Sequence, residues 1–535
     1  MLQRIVVLSG PICAGKSTAA AGLHEHYSVP IVHTRSLLER EVESTDRVTL
    51  QKAGAALDES TKGRWVADAL ARWEGEQRAA PHRVVIDSIR DARQIAALRA
   101  NWPHAVVHVH IMASPETCRG RFQARHETID FDAASADPVE RQVSSLAAIA
   151  DTCLDTDRHS QPDVITIAAG VARLIAEHQE ALVDVLIGGQ WGSEGKGQIA
   201  AYLAPEYDIL LRVGGPNAGH SVYEEDGADK FYHLPSGTNR NPRAILVLGP
   251  GAVIYPSRLL EEIQDNEIET SRLAIDPQAM IIEDWDQTAE HELRASIGST
   301  AQGVGAATAR KLLRRTLLRE GAPTVRLARD EASLAAYIRP TRSVLADAYQ
   351  QRHRVQLEGT QGTLLSIHHG SYPHVTSRDT SASGCLSESG IPPGRVRRTI
   401  MVCRTYPIRV ANSITGQPSG PMGIEINWGE ISRRSGIPQD VLEMHELSTT
   451  TRRLRRVAEF SWTDLAAAAA LNAPTDIALT FVDYFGASNA QASRFEQLNA
   501  EAREFADRIE RVGGAPVSLL AVDFSHRAII DRRRW

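Results

Sequence analysis

The chain has 535 residues, 42% of them hydrophobic and 23% charged, a formal net charge of -7 and a pI near 6.3. That length exceeds one ordinary core and sets two or three domains as the expectation, while the acidic balance excludes a chain-wide nucleic-acid or membrane surface. Five scattered cysteines with no CxxC pair argue against structural zinc or disulfides and for a reducing, cytoplasmic setting; no apolar run reaches membrane-spanning length.

In chain order, "RIVVLSG" (residues 4–10) reads as a strand, "PICAGKS" as a turn and "TAAAGLHEHY" (18–27) as a helix. Strands follow at "RVVID" (83–87) and "AVVHVHIMA" (105–113), with the helical "TKGRWVADALARWEGEQ" (61–77) before them, an alternation that indicates a parallel α/β sheet. "DVITIAA" (163–169) reads as one more strand and "VARLIAEHQEALV" (171–183) as a helix. At Asp184 the pattern restarts, with "DVLIGGQ" entering a second glycine loop. The expectation is therefore two P-loop-type α/β domains, 1–180 and 181–535. In the second, helices are expected near Pro256–Asn266 and Thr463–Leu471, and strands at "AILVLG" (244–249) and "DIALTFV" (476–482).

The first loop is "GPICAGKST". Gly10, Gly15, Lys16 and Ser17, with Thr18 following, fit G-x-x-x-x-G-K-[ST] between a strand and a helix, the context that makes the motif specific. Backbone N–H groups cradle phosphate oxygens, Lys16 reaches the transferred phosphate and Ser17 can ligate Mg2+. Asp87 closes the strand "VVID", Arg90 follows it, and Arg119, Arg121 and Arg125 are placed as a lid that clamps phosphates. The domain resembles nucleoside-monophosphate kinases of the deoxynucleotide and adenylate kinase-like group. Thr34 and Arg35 are candidate contacts to the monophosphate acceptor.

The second loop, "GGQWGSEGKGQ" (188–198), is followed by "RVGGPNAGHS" (212–221), "IGSTAQGVG" (297–305), "EGTQGTLLSIHHGSYPHVTSRDTSASG" (358–384) and "ELSTTTRRLRR" (446–456). These blocks, in this order, resemble the adenylosuccinate synthetase family across nearly all of residues 183–535. The resemblance implies a two-step ligation driven by a nucleoside triphosphate with Mg2+. The 6-oxygen of a purine monophosphate is phosphorylated, and the amine of L-aspartate then displaces phosphate. It assigns His220 to assisting phosphate transfer, Lys196 to the phosphates and the Gly219 carbonyl to Mg2+. Asn217, Thr300, Gln361 and Thr376 match nucleotide-binding positions, and Arg314 an arginine lent across a homodimer. Thr450 and Thr451 with Arg453 and Arg455 match the loop that holds aspartate.

Ser193 departs from the family, which places there an aspartate that acts as base and magnesium ligand; serine does not ionise near neutral pH. Serine at this position, with "VTSRDTSASG" and "RTYPIRVANS", resembles the phage-type 2-aminoadenylosuccinate synthase branch, which takes dGMP in place of IMP. A shorter side chain leaves room for the exocyclic 2-amine of guanine, and its hydroxyl can accept a hydrogen bond. Asp483 matches the acid that recognises guanine on the donor, but Phe481 stands where the family has lysine, leaving GTP, ATP and dATP open. The rival readings are an ordinary synthetase using IMP and GTP, and a nucleotide sensor without turnover.

Overall fold

The opening β-branched run forms β1 (Arg4–Ser9), buried beyond its first residue. It belongs to a computed structural model that describes residues 2–42, 47–77, 82–124, 130–136, 138–174, 180–224, 227–313, 324–413, 415–448 and 452–535. The chain divides into two units, Met1–His178 and Gln179–Trp535.

In the first unit β2 (Ile31–His33), β3 (Arg83–Ile89), β4 (Val106–Met112) and β5 (Thr152–Asp155) join β1 in a sheet ordered β2-β3-β1-β4-β5, with every pair parallel. Helix α1 (Lys16–Tyr27) leaves the first glycine loop directly after the central strand. Gly10 is required there: its φ is +140°, and a Cβ would lie 1.9 Å from the Ile111 carbonyl oxygen.

Residues 163–169 are not a strand. They lie inside the helix Gln161–Val171, which Ser160 and Asp163 start with a reciprocal capping box and a proline in the first turn. Val164, Ile165, Ala168 and Ala169 are its buried residues, a helical spacing that overrides the β-branched composition. The fifth strand comes earlier, at Thr152–Asp155. Of the helix expected over 171–183, residues 175–179 lie outside the described residues; Val171 ends a helix, residues 172–174 and 180–182 are not helical, and Val183 begins a strand.

The main sheet of the second unit has nine strands: β6 (Val183–Gly188), β7 (Ile209–Arg212), β8 (Ile245–Leu248), β9 (Leu273–Ile275), β10 (Val355–Glu358), β11 (Val396–Arg404), β12 (Asp476–Thr480), β13 (Val517–Ala521) and β14 (Ile529–Asp531). Their order is β9-β8-β7-β10-β6-β11-β12-β13-β14. Only the β13–β14 pair is antiparallel. Every residue of β6 is buried; Val185 and Ile187 pack into one apolar layer and Leu186 into the other, as expected for a parallel sheet covered on both faces. The carboxyl ends of β7, β10, β6, β11 and β12 deliver Arg212, Glu358, Gly188, Arg404 and Thr480 to one edge of the sheet, where α/β folds place their ligands.

Candidate active site

The second glycine loop runs from β6 into helix α2 (Lys196–Leu203). Its centre is Glu194, a fully buried acid that the sequence reading did not single out. The carboxylate accepts from the Gln190 amide (3.1 Å), the Gly192 amide (2.7 Å) and the Lys196 ammonium (2.5 Å). A Cβ on Gly362 would come within 2.4 Å of it, so glycine at that position makes room for the acid. Lys196 is thus held at the loop by an internal counter-ion, which spares a buried ammonium the cost of standing alone.

His220 opens a hairpin strand immediately beyond β7. Its Nδ1 lies 2.5 Å from Glu358 Oε1 and 3.1 Å from Ser236 Oγ. The Ser236 amide donates to the second Glu358 oxygen at 2.7 Å, and the Arg212 guanidinium sits 3.6 Å from the first. Burial opposes a charged Glu358, yet Arg212 and the hydrogen bond from His220 outweigh it and hold the carboxyl down to about 2. Burial, reinforced by Arg212, lowers His220 to about 4. The imidazole is therefore neutral, its Nδ1–H commits to Glu358, and its buried Nε2 has no partner among the described residues. The carboxylate fixes the tautomer and leaves one nitrogen ready for a ligand.

A cavity of about 510 Å³ opens beside this pair, lined among others by Ser193, Asn217, Gly219, Thr300, Gln361 and Thr376. It has the size of a site for a nucleotide and a small acid. Gln361, at φ +61°, donates to Thr376 Oγ1 at 3.1 Å, and the Asn217 amide reaches the same oxygen at 3.4 Å. The buried Oδ1 of Asn217 has no partner among the described residues.

Arg453 and Arg455 line the same cavity. Behind them Glu446 is paired with Arg404 (2.6 Å) and Arg455 (3.5 Å) and accepts from the Tyr484 hydroxyl at 2.8 Å. Two guanidiniums share one carboxylate, so the wall keeps a positive charge for an anionic substrate. Arg404 also donates to the Ser193 carbonyl at 3.2 Å and lies 3.9 Å from the Phe481 ring centroid, tying loop, arginine wall and Asp483 turn together. Lys196, His220 and Asp483 are buried next to these elements and do not line the cavity itself. Arg314, Thr450 and Thr451 lie outside the described residues, as does Arg125.

In the first unit Lys16 donates to the Gly10 and Pro11 carbonyls at 2.8 Å each. Burial, with Arg90 nearby, lowers its ammonium to about 8. Ser17 donates to Asp87 at 3.1 Å, and Arg90 pairs with the buried Glu140. Thr34 is spent on the Asp87 and Ser88 carbonyls. Two of the arginines expected in a phosphate-clamping lid have partners within the unit. Arg121 donates to the Cys13 and Ala14 carbonyls and, at 2.9 Å, to Thr156, so it braces the loop from below. Arg119 pairs with Asp132 at 2.7 Å.

Magnesium prefers hard oxygen ligands and keeps several waters. The Ser17 hydroxyl and Asp87 carboxylate fit it at the first loop. At the second, the Gly219 backbone and the Ser193 hydroxyl border one cavity and supply only neutral oxygens, so nucleotide phosphates would provide the anionic ligands there. Among the described residues no group of three or more His, Cys, Asp or Glu side chains forms a metal cluster, and no helix is long and apolar enough to cross a membrane.

A glycine loop with a buried lysine, a buried neutral histidine and an arginine-lined cavity suit the coupling of triphosphate cleavage to bond formation, the work of a nucleotide-dependent carbon–nitrogen ligase. Residues 185–322 and 323–490 match the adenylosuccinate synthetase family, and the chain belongs to that family. Adenylosuccinate synthetase of Methanocaldococcus jannaschii is 33% identical over 359 residues, 65% of this chain and 96% of the relative. The succinoaminodeoxyadenylate synthetase of cyanophage S-2L, solved with dGMP and with dATP as energy donor, is similar at 30% identity. Its TM-score is 0.55, over 66% of this chain and 96% of that one. The fully ligated Plasmodium falciparum adenylosuccinate synthetase shares the fold at 22% identity and a TM-score of 0.57, covering 66% and 100%.

Proposed function

We propose that the second unit joins L-aspartate to the 6-position of a guanine nucleoside monophosphate, dGMP or GMP, and makes a 2-aminoadenylosuccinate-type product with triphosphate hydrolysis. The observation that carries this reading is Ser193 on the wall of the cavity that Gln361, Asn217 and Thr376 also line. A hydroxyl there leaves space beside purine N1 and offers an acceptor to the 2-amine, where an aspartate would crowd it. The phage synthetase solved with dGMP supports the same choice.

Each residue then has a task. Gln361 and Asn217 orient the purine, and Thr300 and Thr376 receive its monophosphate. His220 presents Nε2 to the 6-oxygen and the arriving phosphoryl group, steadied at Nδ1 by Glu358. Lys196 exchanges its pairing with Glu194 for donor phosphates, and backbone amides of the loop add their own donors. Arg453 and Arg455, with Thr450 and Thr451 of the same loop, take the two carboxylates of aspartate by forked hydrogen bonds. The Gly219 carbonyl, with the nucleotide phosphates, would hold Mg2+, which would supply charge neutralisation for phosphoryl transfer. A homodimer would supply Arg314 from the second subunit.

The first unit is read as a nucleotide kinase, with Lys16 and Ser17 on the donor phosphates and Asp87 on Mg2+. Its support is the Ser17–Asp87 hydrogen bond at the mouth of an orthodox phosphate loop. Fusion of the two suggests successive steps in purine nucleotide metabolism.

Ser193→Asp is the test. The ratio of kcat/KM for dGMP over IMP should fall by at least about tenfold, since an added carboxylate both fills the space beside N1 and changes its hydrogen bonding. An unchanged ratio would remove Ser193 as the selector.

A further inference from the structure

The carboxyl edge of the first sheet carries a pair of side chains that phosphate binding leaves unused. β2 ends at His33 and lies parallel to β3, with His33 in register with Asp87. Their side chains meet: His33 Nδ1 lies 3.3 Å from Asp87 Oδ2. That oxygen also accepts from the Ser17 hydroxyl at 3.1 Å, so the imidazole stands within two hydrogen-bond lengths of the phosphate loop. Asp87 is buried, and the backbone around it is bent to aim it. Relative to β1, β3 carries one extra residue between Ile86 and Ile89. Ser88 there takes φ +72° and donates its hydroxyl to Asp87 Oδ1 at 3.0 Å. A bulge and a strained residue at one point redirect a side chain and mark functional positions.

With the carboxylate taking the Nδ1 proton, His33 keeps a lone pair on Nε2, which has no partner among the described residues, on a side chain that is half exposed. An imidazole oriented by an acid is how a base that activates a hydroxyl is built, and such bonds are commonly long before substrate arrives. The second observation concerns charge. A phosphate acceptor carries close to two negative charges at neutral pH, so it needs no base and calls instead for guanidinium forks. Each of the four described arginines placed for that work has a partner inside the unit. Arg90 is on the buried Glu140, Arg35 on Glu39, Arg119 on Asp132 and Arg121 on the loop carbonyls. An alcohol is the reverse case: it is uncharged, and its transfer gains about 10²–10⁴-fold from a base.

We infer that the first unit phosphorylates a hydroxyl group of a purine nucleoside, with His33 as the base that takes the hydroxyl proton and Asp87 as the residue that orients His33. In the transfer the acceptor oxygen bonds to the γ-phosphorus of a nucleoside triphosphate and the bond from that phosphorus to the β,γ-bridging oxygen breaks. The hydroxyl proton passes to His33 Nε2, and the products are a nucleoside monophosphate and a nucleoside diphosphate. A purine nucleoside monophosphate is the class of acceptor proposed for the second unit, which sets this reaction directly before the ligation. The inference rests on the kinase reading of the first unit; it keeps the donor side of that reading and makes the acceptor group a hydroxyl.

The experiment uses the full chain carrying Lys196→Ala, which silences the second loop, with ATP and Mg2+ and without aspartate. Guanosine, deoxyguanosine, adenosine and inosine compete with GMP, dGMP, AMP and IMP, and mass spectrometry reads which species gains a phosphate. Nucleosides should become monophosphates, with kcat/KM at least about tenfold above that of any monophosphate acceptor. His33→Gln should lower kcat by about 10²-fold or more with little change in the KM for the nucleoside. His33→Ala should regain activity when imidazole is added, a rescue that a purely structural role would not give. Binding of β,γ-imido-ATP that is lost on adding Lys16→Ala tests the kinase reading by itself, and its absence defeats that reading. With the donor analogue bound, transfer to a monophosphate in preference to the nucleosides, or to no acceptor at all, overturns the inference. An unchanged kcat in His33→Gln overturns it equally.

Discussion

Replacing Glu358 by glutamine removes one charge and almost no volume from the centre of the site. In the native chain this buried carboxylate takes hydrogen bonds from His220 at 2.5 Å and the Ser236 amide at 2.7 Å, with Arg212 3.6 Å away. Its carboxyl is held down to about 2 from an ordinary 4.5. Converted at ~1.4 kcal/mol per tenfold change in proton affinity, that displacement amounts to roughly 3 kcal/mol of stability. A second route gives the same size: breaking a buried ion pair from one side costs about 3–5 kcal/mol, and Arg212 would be left buried without its anion. Catalysis should suffer more than binding, because a glutamine amide no longer enforces the Nδ1–H tautomer of His220. Outer partners of this kind are worth about 10–100-fold. Chemical denaturation followed by circular dichroism reads the first effect, and steady-state kinetics read kcat against KM. A variant as stable as the parent with unchanged kcat would refute the reasoning; loss of stability with kcat intact would refute its catalytic half.

Arg404→Met should cost about 3–5 kcal/mol in denaturation experiments, because Glu446 loses its nearest cation. The KM for aspartate should rise as Arg455 is drawn onto Glu446, and an unchanged KM would separate the two sites. Acid stability gives a further expectation. Burial lowers His233 from 6.5 to about 3, and its Nε2 accepts from the Tyr255 amide at 3.1 Å. The unfolded chain takes up that proton below pH 6.5 and the folded chain does not, so stability falls as pH drops from 6.5 towards 3. Glu358 acts lower: its contribution is complete above 4.5 and is lost as pH falls towards 2. The melting temperature should therefore decline in two stages; His220, lowered to about 4, adds to the upper one, so His233→Gln should make that stage shallower without abolishing it.

Much of the fold was legible in the sequence because both glycine loops follow β-branched runs and precede good helix formers. The capping box at Ser160 and Asp163 was also present in the letters, but the apolar run "DVITIAA" hid it. Half of the site was legible as well, since Ser193, Gln361, Thr376 and Arg455 stand in compact motifs and meet in one cavity. What escaped were partners joined across long stretches of chain. Glu358 reaches His220 over 138 positions and Glu446 reaches Arg404 over 42, and only sheet order brings such pairs together. Glu194 had a local signal, an acid two places before the loop lysine. The partners of Arg121 had no local signal; only the fold shows its guanidinium turned onto the loop carbonyls.

The most direct measurement is mass spectrometry of the nucleotide products formed by the full chain and by its Lys16→Ala variant. Each receives L-aspartate, Mg2+, ATP and GTP together with IMP, GMP, dGMP and dIMP in competition. The account predicts that dGMP or GMP gains the mass of aspartate less water, ahead of IMP and dIMP, in both proteins. Preferential conversion of IMP, or no aspartate adduct on any nucleotide, would contradict it.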